Sequence, residues 1–407
     1  MSDFQTARDI VLRRNSGLRI CTRCVYDSNI PNISFNDAGV CSYCELHDAL
    51  ERQYPNQGIE GAERLAGLIK AIKKSGRSKK YDCVVGVSGG CDSSYLLHVL
   101  VKDGIRPLAV HFDNTWNSPI ATQNIYKVIR KLNVDLFTYV VDNKEYDDLY
   151  RAFMLSGVAD IEAPTDIGFI STLYMAAEKH GIKYLIEGHS FRTEGVSPLG
   201  WLYMDGRYIE AVHERYGLRP LKTYPNMTLQ RFLRWSALRG IKRVRPLYYV
   251  DYNKAAVREM LAKEYGWEWY GGHHLENRFT AFYHSYFMPR RFGIDQRANG
   301  YAALVRSGQM LRQKALAALE EPPHLDPEIL SLVKKRLGFS DAEFDRVMTQ
   351  PLKTWKEFPT YKKDFERLRP LFYLLTKIGR VPESFYVKFC FPTEKLGNVT
   401  SSEVGKN

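Results

Sequence analysis

The stretch that most constrains this chain is Tyr81 to Ser93, which reads YDCVVGVSGGCDS. A short apolar run (Cys83, Val84, Val85, Val87) stops at Ser88-Gly89-Gly90-Cys91-Asp92-Ser93. Apolar residues then recur at Tyr95, Leu96, Leu97, Val99 and Leu100, a helical spacing. The pattern is strand, tight glycine turn, helix. Such a turn sets backbone N–H groups and a helix start against an anion, so it suits phosphate. Gly89 and Gly90 permit positive φ and close approach of backbone to ligand. Ser88 and Ser93 offer hydroxyls. Asp92 is the odd member, since a carboxylate beside phosphates repels them unless a cation intervenes. It points to Mg²⁺ on a nucleotide. A purely structural turn is the competing reading, and the full hexapeptide between strand and helix argues against it.

The turn lacks the Lys of GxxxxGK[ST] and is not GxGxxG. It does match SGGxDS. In this it resembles the PP-loop ATP pyrophosphatases, which bind ATP and break it between the α- and β-phosphates. That resemblance implies an ATP site made by Ser88, Gly89, Gly90, Asp92 and Ser93, with Asp92 and Ser88 in catalytic roles.

Four of the seven cysteines form two knuckles, Cys21-Thr-Arg-Cys24 and Cys41-Ser-Tyr-Cys44, separated by sixteen residues. The spacing fits a tetrahedral Zn²⁺ site of four thiolates. Disulfides and an iron–sulfur cluster are the rivals. With every position filled by protein, zinc here is expected to be structural. Cys83 reads as a core residue, and Cys91 lies inside the phosphate turn.

From residue 81 strands alternate with helices: strand 81–87, helix 93–103, strand 107–112, helix 119–132, strand 135–141, helix 145–155, helix 166–180 and strand 183–187. Alternation of this kind predicts an α/β fold with a doubly wound parallel sheet, its ligands beyond the carboxyl ends of the strands. Those ends carry Ser88 to Ser93, then His111, Asp113 and Asn114, then Gly188 and His189. In PP-loop enzymes the segment after the second strand meets adenosine, and His111, Asp113 and Asn114 match that place. Gly188 resembles the family's glycine near ATP, and His189 joins the catalytic set.

The domain plan follows. Residues 1–50 form an N-terminal segment with the zinc knuckle, opening on a helical lead-in over 1–20. Residues 51–80 form a helical linker, 81–300 the PP-loop domain, and 301–407 a helical C-terminal region with a polar tail. Periodicity fades between 193 and 247, a substrate-facing insertion rich in aromatics, glycines and bases, Arg207 and Arg215 among them. A second basic segment holds Arg290, Arg291 and Arg297, which suit a phosphate or carboxylate. His273, His274 and Glu276 lack the HExxH pattern of a metal helix and read as loop or substrate contacts.

The chain has 407 residues and a net charge of +12, which favours polyanionic partners such as nucleotides, nucleotide-sugars or nucleic acid. No apolar run reaches membrane-spanning length and the start is not of signal-peptide type, so a cytoplasmic protein is expected.

The motifs together are similar to those of the N-acetyl sugar amidotransferases of O-antigen and other surface-polysaccharide biosynthesis. The shared segments are CTRCVYDSNIPNISFNDAGVCSYC, VVGVSGGCDSSY, HFDNTWNS, IEGHS and a late WYGGHHLENRFTAFYHSYFMPRRFGIDQR…RSGQMLRQKAL run. The family pattern often has a Lys near His273, where this chain has none. The resemblance implies that ATP adenylates an acetamido carbonyl of a nucleotide-linked sugar. Ammonia then displaces AMP to leave an acetamidino group. ATP, Mg²⁺ and structural Zn²⁺ would be the cofactors. Ammonia would come from a separate glutaminase subunit and its cyclase-like barrel partner, since no glutaminase nucleophile is visible. Nucleic acid is then not an expected partner. Two alternatives stand beside this: a PP-loop tRNA-modifying enzyme (thiolase or ligase), and a non-enzymatic ATP-binding zinc-ribbon scaffold.

Overall fold

The computed structural model describes residues 17–392 apart from Leu199 and His273. Most of the expected lead-in helix, the tail from residue 393 and His273 therefore lie outside the described residues. Five parallel strands form the sheet: β1 (Cys83–Gly86), β2 (Pro107–Asp113), β3 (Leu136–Val140), β4 (Tyr184–Ile186) and β5 (Lys242–Val244). Their order is β3-β2-β1-β4-β5. The chain leaves β1 for β2 and β3 on one side, then returns to place β4 and β5 on the other. The order reverses at β1, and a doubly wound sheet opens its crevice at that point. The turn after β1 is the glycine turn.

The strand period of two explains how β1 is buried on both faces. Val84 belongs to an apolar cluster with Leu108, Val110, Phe153 and Tyr174. Cys83 and Val85 face the opposite cluster, with Leu96, Leu97, Leu100, Val128 and Leu261. Truncating a fully buried member such as Leu100 to Ala would cost about 3 kcal/mol. The Val84 cluster continues into Phe339, Phe344, Phe365 and Phe372, so the C-terminal helices share a core with the sheet.

The expected helices are present as Cys91–Lys102, Pro119–Leu132, Asn143–Ser156 and Ala163–Lys179, with the linker helix at Gly58–Gly76, and a further helix runs Lys254–Tyr265. The segment 193–247 is more regular than its composition suggests. It holds a helix, Gly206–Tyr216, whose start is capped by Asp205 accepting from the Tyr208 N–H, and it supplies β5. β5 reads Lys-Arg-Val, three half-buried residues at the sheet edge, too short to show a period. The expected α/β class, Cys₄ cluster and helical C-terminal part are all present. No helix among the described residues is long and apolar enough to cross a membrane.

Candidate active site

The glycine turn is built by residues from far along the chain. Gly89 sits at φ +80° with its Cα against the Ala121 carbonyl, so a side chain there would be both strained and obstructed. Its carbonyl accepts from the Trp267 indole N–H at 3.0 Å and from Asn124 at 3.4 Å. Those bonds fix that carbonyl in protein. A Cβ on Gly90 would lie 3.2 Å from both Glu276 Oε1 and the Tyr270 hydroxyl. Ser88 Oγ donates to Glu276 Oε1 at 3.4 Å and accepts from the Gly90 N–H at 3.3 Å. Ser93 Oγ accepts from the Ser88 N–H at 3.4 Å. Gly188, after β4, brings its Cα against the backbone of Asp92 and Ser93.

Asp92 has a partner the sequence did not reveal. Lys254 Nζ donates to Asp92 Oδ2 at 2.9 Å and the Tyr252 hydroxyl donates to Oδ1 at 2.7 Å. Burial works against the Asp92 charge, yet Lys254 and the Tyr252 bond hold its carboxyl below the usual range. Burial likewise opposes the Lys254 charge, and Asp92 and Glu194 more than restore it. The glycine turn lacks the P-loop Lys, but a buried ammonium stands beside it, supplied from position 254.

Three further ionisable groups surround this pair. Burial, with Asp92 nearby, pushes Glu194 up to about 7. His274 sits at φ +60° with Nδ1 3.9 Å from Glu276 Oε1. Burial opposes its charge, but the Glu276 hydrogen bond and carboxylate raise it to about 9. Glu276 is held below the usual range by the same partner, against burial. One buried Glu276 oxygen, Oε2, has no hydrogen-bond partner.

The remaining edge residues have defined roles. His111 Nδ1 lies 3.0 Å from the Val87 carbonyl and Nε2 2.9 Å from the Asn117 amide, so it joins β2 to the start of the turn. Asp113 accepts from the Thr115 N–H at 2.8 Å. Asn114 is buried and accepts from Asn277 at 3.0 Å. The 276–278 segment is thereby laid along 116–118, with Ser118 N–H donating to the Glu276 carbonyl at 2.8 Å. His189 has Nε2 3.0 Å from the Gly195 carbonyl and Nδ1 3.1 Å from the Tyr248 hydroxyl. Burial and then Arg245 lower it to about 3, which keeps the ring neutral. With both nitrogens engaged, His189 positions the 188–195 loop.

The five arginines read as substrate contacts each have partners within the protein. Arg207 pairs with Asp364 at 2.9 Å and stacks on Tyr361. Arg215 lies over Tyr216 and Phe358. Arg290 stacks on Tyr286. Arg291 is buried and donates to the Pro351 carbonyl at 3.4 Å. Arg297 pairs with Asp295 and donates to the Ala318 and Glu321 carbonyls. Charge alone does not disclose such pairing; the polar residues that meet the turn include Asn124, Tyr252, Lys254, Trp267, Tyr270 and Glu276.

The four knuckle cysteines are fully buried, with their sulfurs within 4.8 Å of one another. N–H groups of Arg23, Cys24 and Cys41 donate to Cys21 Sγ at 3.3–3.4 Å. Arg306 donates to Cys24 Sγ at 3.2 Å and to Cys44 Sγ at 3.4 Å. Four clustered sulfurs with N–H donors around them fit a metal-tetrathiolate centre, whose ligands would be Cys21, Cys24, Cys41 and Cys44.

Topology, switch-point turn and buried ion pair define a doubly wound α/β protein with a polar site on its carboxyl edge. Within it, residues 276–371 match the family model described as "LPS biosynthesis protein WbpG-like, C-terminal domain". Over that stretch the match bears out the resemblance to the surface-polysaccharide group. The solved structure of NMN synthetase from Francisella tularensis is 15% identical, over 73% of this chain and 99% of that one, with a TM-score of 0.32. A likeness that distant carries no argument. No curated protein matches the chain in sequence.

Proposed function

We propose that the protein is an ATP-dependent amidotransferase of lipopolysaccharide biosynthesis, acting on an acetamido group of a nucleotide-linked sugar. One observation carries the reading: the WbpG-like segment, starting at Glu276, lies directly on the SGGCDS turn, so a lipopolysaccharide-type domain and a phosphate-type turn share one site. An amide carbonyl is a poor electrophile. Attack of its oxygen on the α-phosphate of ATP gives an O-adenylyl imidate and pyrophosphate. Ammonia then adds to the imidate carbon and AMP leaves. Ser88, Gly90 and Ser93 would hold the departing pyrophosphate, and Lys254 would balance its charge from beside Asp92. Mg²⁺, entering with ATP, would supply further neutralisation, with Asp92 and Glu276 the carboxylates at the turn. Neutral ammonia is the nucleophile, and the Glu194 carboxyl, raised to about 7, suits it to take a proton from ammonium or from the adduct. Zn²⁺ at the knuckle would tie the N-terminal segment together without touching substrate. A glutaminase and a barrel subunit would deliver the ammonia.

Thiolation of tRNA is disfavoured. Cys91, the cysteine at the turn, is buried and its thiol is pushed up to about 11 by burial, a poor sulfur carrier. The experiment is incubation with ATP, Mg²⁺, ammonium and UDP-diacetamido uronic acids, followed by mass spectrometry. Product lighter by about one mass unit, from oxygen exchanged for NH, together with AMP and pyrophosphate, is expected. AMP release that depends on tRNA and not on the sugar defeats the proposal.

A further inference from the structure

A cleft of about 440 Å³ lies beside the turn, with walls from two parts of the chain. One wall is Ser118 to Ile120, the start of the Pro119–Leu132 helix, together with Tyr270. The other is drawn from within the WbpG-like segment and includes Arg278, Ser285 and Leu325. The cleft borders the catalytic edge without being part of it. Tyr270 has its hydroxyl against Gly90, and Ser118 is bonded through its N–H to the Glu276 carbonyl.

Its lining carries one charge of each sign, Arg278 and Asp326, together with His324 and apolar flanks. A fourteen-residue helix starts there, capped by Ser118 Oγ accepting from the Ala121 N–H at 3.2 Å, with the positive end of its dipole at the cleft. Arg278 is the cation on the facing wall. Its ion pair to Asp326 is 3.9 Å long, with the two side chains 35% and 48% exposed. An exposed pair of that length contributes little, so the guanidinium is available to a better anion at small cost. Ser285 adds a hydroxyl, while Ile120 and Leu325 give apolar contact. A volume of this size suits a nucleotide-sized ligand.

We propose that this cleft takes the diphosphate of the nucleotide-linked acceptor, held between Arg278 and the helix start at Ser118; this rests on the amidotransferase reading above. Bound there, the acceptor would approach the α-phosphate of ATP from the side of Tyr270 and Glu276. The WbpG-like segment would then act as the acceptor-recognition part, with the sheet domain providing the adenylate chemistry.

The test is calorimetric titration of UDP into the full-length protein saturated with α,β-methylene-ATP. UDP should bind the wild type alongside the analogue. Arg278→Glu should weaken UDP roughly tenfold or more, Arg278→Lys should recover part of that loss, and neither should alter analogue binding. Ile120→Glu, which places a like charge at the helix start, should also weaken UDP. Three results overturn the inference: no UDP binding to the wild type, UDP binding indifferent to Arg278→Glu, or UDP displaced by the analogue. The analogue titrated alone reads the glycine turn separately. Its failure to bind defeats the amidotransferase reading, whereas the UDP results speak to the cleft.

Discussion

The two polar centres of this molecule solve opposite problems. The Cys₄ knuckle is closed: four buried sulfurs face one another, backbone N–H groups surround them, and Arg306 covers them from the Arg297–Arg306 helix. The glycine turn is open at the carboxyl edge. Its charges are balanced in pairs, Asp92 with Lys254 and Glu276 with His274, while Glu194 has no full counter-charge of its own. A centre saturated by its own protein has stability as its business. A centre balanced in pairs can exchange a partner for a ligand. The two are also joined: Tyr26, beside the knuckle, donates to Asn299 at 2.6 Å, and Asn299 donates to the Glu194 carbonyl at 2.8 Å.

The contrast is most sharply broken at the knuckle. Cys41→Ser should abolish stoichiometric zinc and cost on the order of 5 kcal/mol or more, read by metal analysis and thermal unfolding. Zinc at full occupancy in that variant would end the structural assignment. At the turn the largest effect is a charge effect. Asp92→Asn leaves a buried ammonium unpaired and Lys254→Met leaves a buried carboxylate unpaired, so each should cost about 3 kcal/mol. The double variant should regain much of that stability while remaining at least about a hundredfold down in pyrophosphate release. A double variant that turns over normally would show the pair to be packing alone.

Glu194 gives a pH test between the two centres. Its folded-state value, about 7, lies above its ordinary 4.5, so the proton is bound more tightly in the native state. Its contribution to stability is present in full below about pH 4.5 and is lost as pH rises through 7. Glu194→Gln should remove that dependence, on the order of 3 kcal/mol across the window, in denaturant titrations at pH 5 and 8. An unchanged pH profile would show that the site does not desolvate this carboxyl. The smallest effect is expected at the joint. Gly195 has φ +79°, and a Cβ there would lie 2.7 Å from Asn299 Oδ1, so Gly195→Ala should cost about 1–2 kcal/mol by thermal unfolding.

What the sequence disclosed was what is local. SGGCDS after a buried strand, and two CxxC knuckles, carry their geometry within a few residues. The strand and helix alternation was legible for the same reason, save β5, whose three residues show no period. Lys254, Tyr252 and Trp267 reach the turn from 160 to 178 positions away, and no spacing rule connects them to it. Arg207 and Arg297 show the converse. Their charge was visible, and so was Asp295 two residues before Arg297, but Asp364 and the carbonyls of Ala318 and Glu321 come within reach only once the C-terminal helices are packed.

The Trp267 bond to the Gly89 carbonyl has an optical consequence. An indole buried to 2% exposure and tethered to the backbone of the phosphate-type turn emits according to the polarity and hydrogen bonding around that turn. One of the chain's six tryptophans is thus a fluorophore at the point where ATP would arrive, and on the proposed reading nucleotide binding would change the emission of Trp267 without a label.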